Sequence, residues 1–319
     1  MNLVICFTPL QILIAKKVIK EETIEYDDIE FVYFSKTYDD KQSKYYELIS
    51  VHAKKSTFIT GVYSFKLIQE LKAKFKGRSY DKVLLASLDD SINHYLLSFC
   101  DFNQLITFDD GVGNIIKTGA YFIEDSRRSL KKRFFTLVHI LLGRKYYLNL
   151  IKQRSDRHYT IYKGFENCVP NAKAISLFDF HLSPKTFNNV THVFLGTMFN
   201  EITIQQHEGD YLKKELLSYM LGIQGSVKYI PHPRSRDREF TPYEFESNGI
   251  AEEIVFELLS HGYVVNLYGF ASSCQFNLMN IRGVNIILLD SPRVNMAVKE
   301  AINMLLEKIP SSNYINIQS

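Results

Sequence analysis

The chain has 319 residues, a formal net charge of +3, 46% hydrophobic residues and 23% charged residues. This composition is typical of a folded globular protein and excludes a disordered polymer, and the length favours two domains of roughly 100–200 residues each. The small net charge argues against nucleic-acid binding, which needs basic side chains gathered on one face. No stretch approaches the roughly 20 apolar residues of a membrane-spanning helix.

The first predicted element is a buried strand over residues 3–7, with an apolar run at 10–15 behind it. Thr8-Pro9 interrupts the apolar sequence and no basic segment precedes it, so we expect a strand here and no signal peptide. The cysteines lack the spacing of a metal site and fit a reducing cytoplasm. They are Cys6, Cys100, Cys168 and Cys274, and the first and second of them lie in apolar, core-like surroundings.

Short apolar runs alternate with helical patterns along both halves of the chain, which predicts βαβ units on parallel sheets. In the first half the predicted strands are 3–7, 30–34, 82–86 and 104–108, with helical patterns at 64–75 and 91–100. In the second half they are 190–195, 226–230, 264–268 and 285–289, with helices near 210–222, 250–260 and 294–308. The segment 164–189, with one predicted strand at 174–178, connects two domains over residues 1–180 and 181–319.

Two adjacent carboxylates, Asp109 and Asp110, directly follow the fourth predicted strand. Because side chains alternate between the faces of a strand, we expect one carboxylate to face a ligand while the other holds the turn. Gly111 and Gly113 predict a sharp bend that brings the backbone close to a ligand, and Asn114 ends the motif. Taken alone, the motif is equally typical of a polar turn.

A single histidine, His232, stands between Pro231 and Pro233 after the strand predicted at 226–230. Each proline restricts the backbone beside it, which suits an imidazole aimed at a leaving group. Arg234 begins a basic run that suits a phosphate. A solvated surface turn is the alternative interpretation.

A glycine and two serines, Gly269, Ser272 and Ser273, follow the strand predicted at 264–268. Backbone N–H groups and hydroxyls in such a turn suit a phosphate. Serines also cap helices, so a lone Ser-Ser pair does not separate the two roles.

In this order and spacing, the motifs at 109–111, 232–233 and 272–273 resemble the acidic-Asp-Gly, His-Pro and Ser-Ser motifs of bacterial sialyltransferases. The chain most resembles glycosyltransferase family 52, the lipooligosaccharide and capsule sialyltransferases. The early segment 6–11, which includes Thr8 and Gln11, also resembles the N-terminal segment of that family, where a strand leads into the first helix. Residues 115–189 carry no motif of the family.

The resemblance implies an α/β fold of GT-B type, with two Rossmann-like domains facing each other across a cleft. It implies that residues 1–180 bind the acceptor sugar and that residues 181–319 bind CMP-sialic acid. Asp110 becomes the general base, and His232 becomes the general acid or the electrostatic partner of the CMP phosphate. On the donor side the implied residues are Ser272, Ser273, Gly269, Pro233 and Arg234. On the acceptor side, or in structural roles, they are Asp109, Gly111, Asn114, Thr8 and Gln11.

The expected reaction is the inverting transfer of N-acetylneuraminic acid from CMP-Neu5Ac to a terminal galactose of a bacterial surface glycan, with an α2,3 linkage. The glycan is a capsular polysaccharide or a lipooligosaccharide. Alternatives are a GT-B transferase with another nucleotide-sugar donor, a non-catalytic protein of surface-polysaccharide assembly, and a metal-dependent phosphohydrolase. No metal is expected, since Asp109 and Asp110 are adjacent and lack the Asp-x-Asp spacing.

Residues 126–142 join five cations to an apolar run. Such a segment suits the anionic inner leaflet of the cytoplasmic membrane, where a membrane-anchored acceptor is displayed. A core helix or a homodimer interface is the alternative, because the apolar part is nearly continuous. His139 within the segment is interpreted as a packed residue and not as a metal ligand.

Overall fold

The computed structural model describes residues 1–122, 138–177, 187, 189–235, 237–245, 247 and 249–317. The chain divides into two compact units, Met1–Phe178 and Asp179–Ser319. The division falls close to the boundary expected after residue 180. Each unit is built on one parallel sheet with helices between its strands.

The described part of the first unit contains a seven-stranded parallel sheet in the order β3-β2-β1-β4-β5-β6-β7. Its strands are β1 (Asn2–Cys6), β2 (Ile29–Ser35), β3 (Lys55–Thr60), β4 (Ser79–Leu85), β5 (Asp101–Phe108), β6 (Arg157–Thr160) and β7 (Lys173–Ala174). Its helices are Pro9–Glu21, Asp40–Ser50, Phe65–Phe75, Ser91–Phe99 and Leu148–Arg154, with 3₁₀ turns at Tyr26–Asp28 and Val112–Asn114.

The described part of the second unit contains a five-stranded parallel sheet in the order β12-β11-β10-β8-β9. Its strands are β8 (Asn189–Leu195), β9 (Ser226–Ile230), β10 (Tyr263–Gly269), β11 (Val284–Asp290) and β12 (Tyr314–Asn316). Its helices are Phe199–Ile202, Gly209–Leu221, Ala251–Ser260, Ser273–Leu278 and Met296–Leu306, with 3₁₀ turns at Gln206–Glu208, Arg238–Tyr243 and Ser311–Asn313.

The central strands are apolar because both of their faces are covered. All five residues of β1 are buried, and β1 pairs in parallel with β2 and β4. Strands buried on both faces read as continuous hydrophobic runs, which is why sequence analysis located them. Cys6 and Cys100, expected in the core, are both buried.

The strand order in each unit creates a switch point at the carboxyl ends of the strands. In the first unit the chain leaves β1 toward β2 on one side and later adds β4 on the other. In the second unit β8 has the same position between β9 and β10. Ligands of open α/β sheets bind outside the carboxyl ends of strands at such points. The motifs at 109–111, 232–233 and 272–273 therefore follow strands at the ligand-binding edge of their sheets.

Several elements differ from the sequence-based expectation. The strand predicted at 174–178 is shorter, since β7 covers only Lys173–Ala174 and residue 178 lies outside the described residues. Strands β3, β6 and β12 and the helices Asp40–Ser50 and Leu148–Arg154 were not predicted. Strand β3 shows why: it lies at the sheet edge with largely exposed side chains, so its sequence carries no apolar run.

Candidate active site

Asp109 anchors the loop that follows β5. Its carboxylate is fully buried and accepts hydrogen bonds from Thr160 Oγ1 at 2.7 Å, the Ile161 backbone N–H at 2.8 Å and Asn167 Nδ2 at 2.8 Å. His158 Nε2 lies 3.1 Å from the same carboxylate. Four donors from β6 and the segment behind it therefore occupy this side chain, which fixes the start of the loop.

Asp110, the next residue, points to a different set of partners. Its Oδ1 accepts a hydrogen bond from Gln11 Nε2, and its Oδ2 accepts one from Tyr121 Oη at 3.1 Å. The Asp110 side chain is half-buried, whereas that of Asp109 has no exposed surface. Among the residues that the structure describes, each Asp110 oxygen has one donor, and a carboxylate oxygen accepts more than one hydrogen bond. The group thus retains capacity to accept a proton from a substrate.

The loop 111–114 has a different basis from the one that its glycines suggested. The predicted bend at Gly111 is present and leads into the 3₁₀ turn Val112–Asn114, but its φ of 160° and ψ of −165° are extended values that any residue adopts. Asn114 holds the loop instead: it is fully buried, and its Oδ1 accepts a hydrogen bond from the Asp110 backbone N–H at 2.9 Å. The Asn114 carbonyl accepts from the Cys168 backbone N–H at 2.7 Å. A side-chain amide, not glycine freedom, sets the geometry.

Thr8 and Gln11 connect the end of β1 to Asp110. Thr8 caps the helix Pro9–Glu21, and its Oγ1 accepts a hydrogen bond from the Gln11 backbone N–H at 3.3 Å. The Gln11 side chain is fully buried beneath the Asp110 carboxylate. Both residues therefore lie on the same side of the sheet edge as the carboxylate.

His232 follows β9, and its ring nitrogen Nδ1 accepts a hydrogen bond. The backbone N–H of Arg234 donates to His232 Nδ1 at 3.2 Å. A neutral imidazole whose Nδ1 accepts carries its proton on Nε2, which is then a donor. Burial lowers the pKa of His232, the Arg234 guanidinium lowers it further, and Glu201 acts in the opposite direction. The side chain is therefore neutral at neutral pH, with Nε2–H available to an acceptor.

Arg234, which was expected on the donor side because its charge suits a phosphate, forms an ion pair with Glu201. Its two terminal nitrogens contact the two oxygens of Glu201 at 3.0 and 2.7 Å. Both side chains are about half exposed, and Pro233 between the histidine and the arginine is exposed as well. The pairing offsets much of the positive charge expected beside His232.

Gly196, at the end of β8, lies against the backbone of His232. A Cβ built on Gly196 would lie 2.7 Å from His232 N and 2.5 Å from Tyr229 Oη. The Gly196 backbone N–H donates to the Ile230 carbonyl at 2.8 Å, which ties the ends of β8 and β9 together. Sequence analysis missed this glycine, although its place directly behind an apolar strand was a usable signal.

The third motif is organised by Gln275, a residue that the sequence did not single out. Gln275 is fully buried, and its Nε2 donates to the carbonyls of Leu267 at 3.1 Å and Ile287 at 2.9 Å. Its Oε1 accepts from the Ser272 backbone N–H at 3.1 Å. A Cβ on Gly269 would lie 2.8 Å from that same oxygen. The glycine thus leaves room for the glutamine that fixes the turn.

Ser272 and Ser273 lie at the start of the helix Ser273–Leu278, with Ser272 at the N-cap position. The Ser272 Oγ is buried and faces the Gln275 backbone N–H in a capping box, but no described residue meets it at full hydrogen-bond geometry. Ala271 before it adopts a left-handed φ of 52°. Buried hydroxyls usually have a partner, so this oxygen is a candidate ligand contact.

Part of the basic, apolar segment 126–142 lies outside the described residues, namely 126–137. Residues 138–141 are helical, and Ile140 and Leu141 are 55% and 80% exposed. His139 Nδ1 lies 2.8 Å from Tyr95 Oη and 3.2 Å from Tyr63 Oη. Of the helices that the structure describes, none is both long and apolar enough to cross a bilayer.

The two parallel α/β units give the chain the architecture of the GT-B class of glycosyltransferases. The chain belongs to glycosyltransferase family 52, whose profile matches residues 27–292. The match covers all three strand-end motifs and confirms the family that their resemblance indicated. The protein is therefore a glycosyltransferase.

Two curated relatives resemble the chain over most of its length. A CMP-N-acetylneuraminate:β-galactoside α-2,3-sialyltransferase of Pasteurella multocida is 31% identical over 292 residues, which cover 88% of each chain. An N-acetyllactosaminide α-2,3-sialyltransferase of Haemophilus influenzae is 30% identical over 295 residues, which cover 90% of this chain and 91% of the relative.

Among solved structures, the glycosyltransferase of kitacinnamycin aligns with a TM-score of 0.51 at 10% sequence identity. The alignment covers 99% of this chain and 86% of that one. At this identity the likeness shows the fold alone. It confirms the predicted GT-B class.

The structure brings the predicted site residues of the first unit into one cluster, whereas those of the second unit follow two different strands. Thr8, Gln11, Asp109, Asp110 and Asn114 meet at one sheet edge of the first unit. In the second unit, His232 and Arg234 follow β9, whereas Gly269 and the serine pair follow β10. The residues that sequence analysis missed are Tyr121, His158, Gly196, Glu201 and Gln275, each of which contacts or positions a predicted residue.

Proposed function

We propose that the protein is an inverting sialyltransferase that moves N-acetylneuraminic acid from CMP-Neu5Ac to the 3-hydroxyl of a terminal galactose. Family membership and the names of both relatives support the donor, the acceptor and the linkage. The observation that carries the mechanism is the Asp110 carboxylate, half-buried at the end of β5 with one donor on each oxygen.

Asp110 acts as the general base. The bond from the anomeric carbon of sialic acid to the phosphate oxygen breaks while the galactose oxygen bonds to that carbon from the opposite face. The hydroxyl proton passes to an Asp110 oxygen, and CMP leaves with the electron pair of the broken bond. One direct displacement inverts the anomeric configuration, and a positioned base contributes about 10²–10⁴-fold to such a step.

His232 stabilises the leaving phosphate. Its Nε2–H donates a hydrogen bond to a phosphate oxygen as negative charge develops there, because its Nδ1 already accepts the Arg234 N–H. A preorganised donor of this kind is worth about 10²–10³-fold in rate. The lowered pKa of the imidazole favours this neutral-donor role over delivery of a proton from an imidazolium.

The turn behind β10 binds the rest of the CMP phosphate. The Ser272 Oγ, which no described residue meets at full hydrogen-bond geometry, supports this role, and Ser273 and Gly269 flank it in the turn. Pro233 and Arg234 complete the donor side. Arg234 either keeps its pairing with Glu201 and acts through His232, or exchanges that carboxylate for the phosphate.

The reaction is proposed to proceed without a divalent metal. The carboxylate of Asp109 is occupied by donors from Thr160, Ile161 and Asn167, so it is not free to bind a cation. Turnover that persists in excess chelator is the expected result. Complete loss in chelator with recovery on added Mg²⁺ would contradict it.

The direct test incubates the protein with CMP-Neu5Ac and lactose, and measures CMP release together with the linkage of the product. We expect stoichiometric CMP and α2,3-sialyllactose, with turnover of the Asp110→Asn variant lower by about 10²–10⁴-fold. UDP- and GDP-sugars tested in parallel address the alternative of another donor. No turnover of CMP-Neu5Ac, with turnover of another nucleotide sugar, would overturn the proposal.

For the cellular setting we propose action at the cytoplasmic face of the membrane, on a capsule or lipooligosaccharide precursor, with a homodimer as the assembled form. Exposed apolar side chains at Val62, Phe65, Ile140 and Leu141 support membrane contact, together with the cations of 126–142. Binding to anionic liposomes at low salt, and its loss at high salt, are expected. Absence of binding at low salt would remove the membrane proposal, and a monomeric mass in solution would remove the dimer.

A further inference from the structure

The base carboxylate is held by two side chains that come from outside its own strand. Gln11 lies on the helix behind β1, and Tyr121 lies in the segment behind β5, eleven residues after Asp110. Gln11 Nε2 donates to Asp110 Oδ1, and Tyr121 Oη donates to Asp110 Oδ2 at 3.1 Å. Each oxygen therefore has its own donor.

The direction of the Gln11 amide follows from its other contacts. The backbone N–H of Phe7 donates to Gln11 Oε1 at 2.7 Å, so the carbonyl end of the amide must face β1. The NH₂ end then faces Ser87 Oγ, at 2.8 Å, and the Asp110 carboxylate. Thr8 fixes the backbone of Gln11 by capping its helix. The amide is thus a fixed donor, and it has no exposed surface.

Tyr121 is a fixed donor for a different reason. Burial raises the pKa of its phenol, and the charge of Asp110 raises it further. The hydroxyl therefore stays protonated throughout the range in which enzymes work. A phenol that cannot ionise beside a carboxylate donates to it and does not compete for the substrate proton.

The charged surroundings of Asp110 explain why donors are needed. Asp90, the cap of the helix Ser91–Phe99, has a pKa raised by burial, and Asp110 contributes to that rise. Asp89 adds negative charge near Tyr121. Like charges disfavour ionisation, and hydrogen bonds to the ionised form favour it. Within the described part of the chain, the other titratable groups around the loop include Asp109 with its partner His158, and Lys152, which donates to the Tyr121 carbonyl.

We infer that Gln11 and Tyr121 are positioning residues that favour the ionised form of the base and turn it toward the acceptor hydroxyl. The inference rests on the proposed role of Asp110. Gln11, on the helix behind β1, fixes the position of Asp110 Oδ1, and Tyr121, in the segment behind β5, fixes the position of Oδ2. Two fixed donors leave the remaining lone pairs of the carboxylate for the galactose hydroxyl.

The test is the pH dependence of kcat for Tyr121→Phe and Gln11→Glu, with CMP-Neu5Ac and lactose as substrates. Loss of one hydrogen bond to a charged group is expected to move the acid limb of the kcat profile by about one pH unit. We expect the acid limb of Tyr121→Phe to move upward by about one unit, with a loss of about tenfold at neutral pH. Gln11→Glu places a second carboxylate against Asp110, so its limb moves further in the same direction.

Tyr38→Phe provides the matched control, since it removes an exposed hydroxyl of the same unit. Its acid limb is expected at the wild-type position. A purely structural role for Tyr121 or Gln11 would lower kcat equally at every pH and leave the limb in place, which would overturn the inference.

The outcomes separate this inference from the proposed function. If Asp110→Asn is inactive while neither variant moves the acid limb, the positioning role fails and the base remains. If Asp110→Asn turns over like wild type, the base assignment fails and the positioning role fails with it. Thermal unfolding of each variant identifies any that has lost its fold, and the remaining variant then decides.

Discussion

At the end of β5, the carboxylate pair is held by side chains: four donors reach Asp109, and two reach Asp110. At the end of β9, His232 is held by the chain itself, through flanking prolines, the Arg234 N–H and the close approach of Gly196. A base must keep its charge in a partly dry site, which takes buried donors. A hydrogen-bond donor to phosphate needs its direction fixed, and backbone restriction supplies that.

The largest effects are expected at the two adjacent carboxylates, and they differ in kind. Asp110→Asn removes the base and lowers kcat by about 10²–10⁴-fold, with the fold retained. Asp109→Asn places an amide among buried donors and lowers the free energy of unfolding by about 3 kcal/mol. Urea unfolding and steady-state kinetics of both variants measure the difference. Equal stability losses in the two variants would contradict the division of roles.

The next effect separates a hydrogen-bond donor from a proton donor at His232. His232→Ala loses the Nε2–H and is expected to lower kcat by about 10²–10³-fold, whereas His232→Gln retains an N–H in a similar place and recovers about tenfold of that loss. Because the pKa of the imidazole is lowered, the free enzyme carries neutral His232 above that pKa. We therefore expect kcat/KM of the wild type to hold from about pH 6.5 to about pH 8. A fall over this range that disappears in His232→Gln would identify an acting imidazolium.

A smaller effect on kcat is expected from substitutions of two glycines, Gly196 directly behind β8 and Gly113 in the loop behind β5. Gly196→Ala places a methyl group 2.7 Å from His232 N, so the backbone that aims the imidazole must shift, and we expect kcat to fall by about tenfold or more. Gly113→Ala brings its methyl to an ordinary 3.8 Å from the Tyr121 ring and is expected to change kcat by less than about threefold. Kinetics of the two variants side by side give the result. A larger loss in Gly113→Ala would reverse the comparison.

The smallest effect is expected at the exposed pair of Arg234 and Glu201. Both side chains are about half exposed, so Glu201→Gln should change the free energy of unfolding by less than about 1 kcal/mol. Arg234 is expected to act mainly through its backbone N–H on His232 Nδ1. Replacing its side chain should therefore change kcat by only a few fold and shift the KM for CMP-Neu5Ac. Isothermal titration with CMP provides an independent measurement. If replacing the Arg234 side chain lowered activity as much as His232→Ala does, the Arg234 guanidinium would instead bind the phosphate directly.

The sequence predicted the elements whose residues have buried, repetitive surroundings. Strands β1, β2, β4, β5 and β8 to β11 were located to within a few residues, because each contains a run of buried apolar residues. Strand β3 was missed because the sheet edge needs no apolar run, and β6 because its sequence serves the Asp109 network: His158 and Thr160 are polar and buried.

The sequence pointed to the residues with a proposed chemical role more readily than to those that support them. Asp110 and His232 were predicted from their strand-end motifs, and the structure places them behind β5 and β9. Tyr121 acts on a residue eleven positions away through a single hydrogen bond, and one-dimensional spacing carries no trace of such a contact. Gln275 follows Ser272 at the Ser-x-x-Gln spacing of a capping box, which was a usable signal. The bend at Gly111 was predicted, but the buried Asn114 side chain that holds this loop was not identified as its support.

The most direct test of the central claim is a crystal structure of the Asp110→Asn variant with lactose and a non-transferable CMP-sialic acid analogue. We predict that the side chain at position 110 lies within hydrogen-bond reach, about 2.6–3.2 Å, of the galactose 3-hydroxyl. We predict the same reach from His232 Nε2 to an oxygen of the CMP phosphate. A structure in which either side chain lies in a pocket that the bound sugars do not enter would contradict the account.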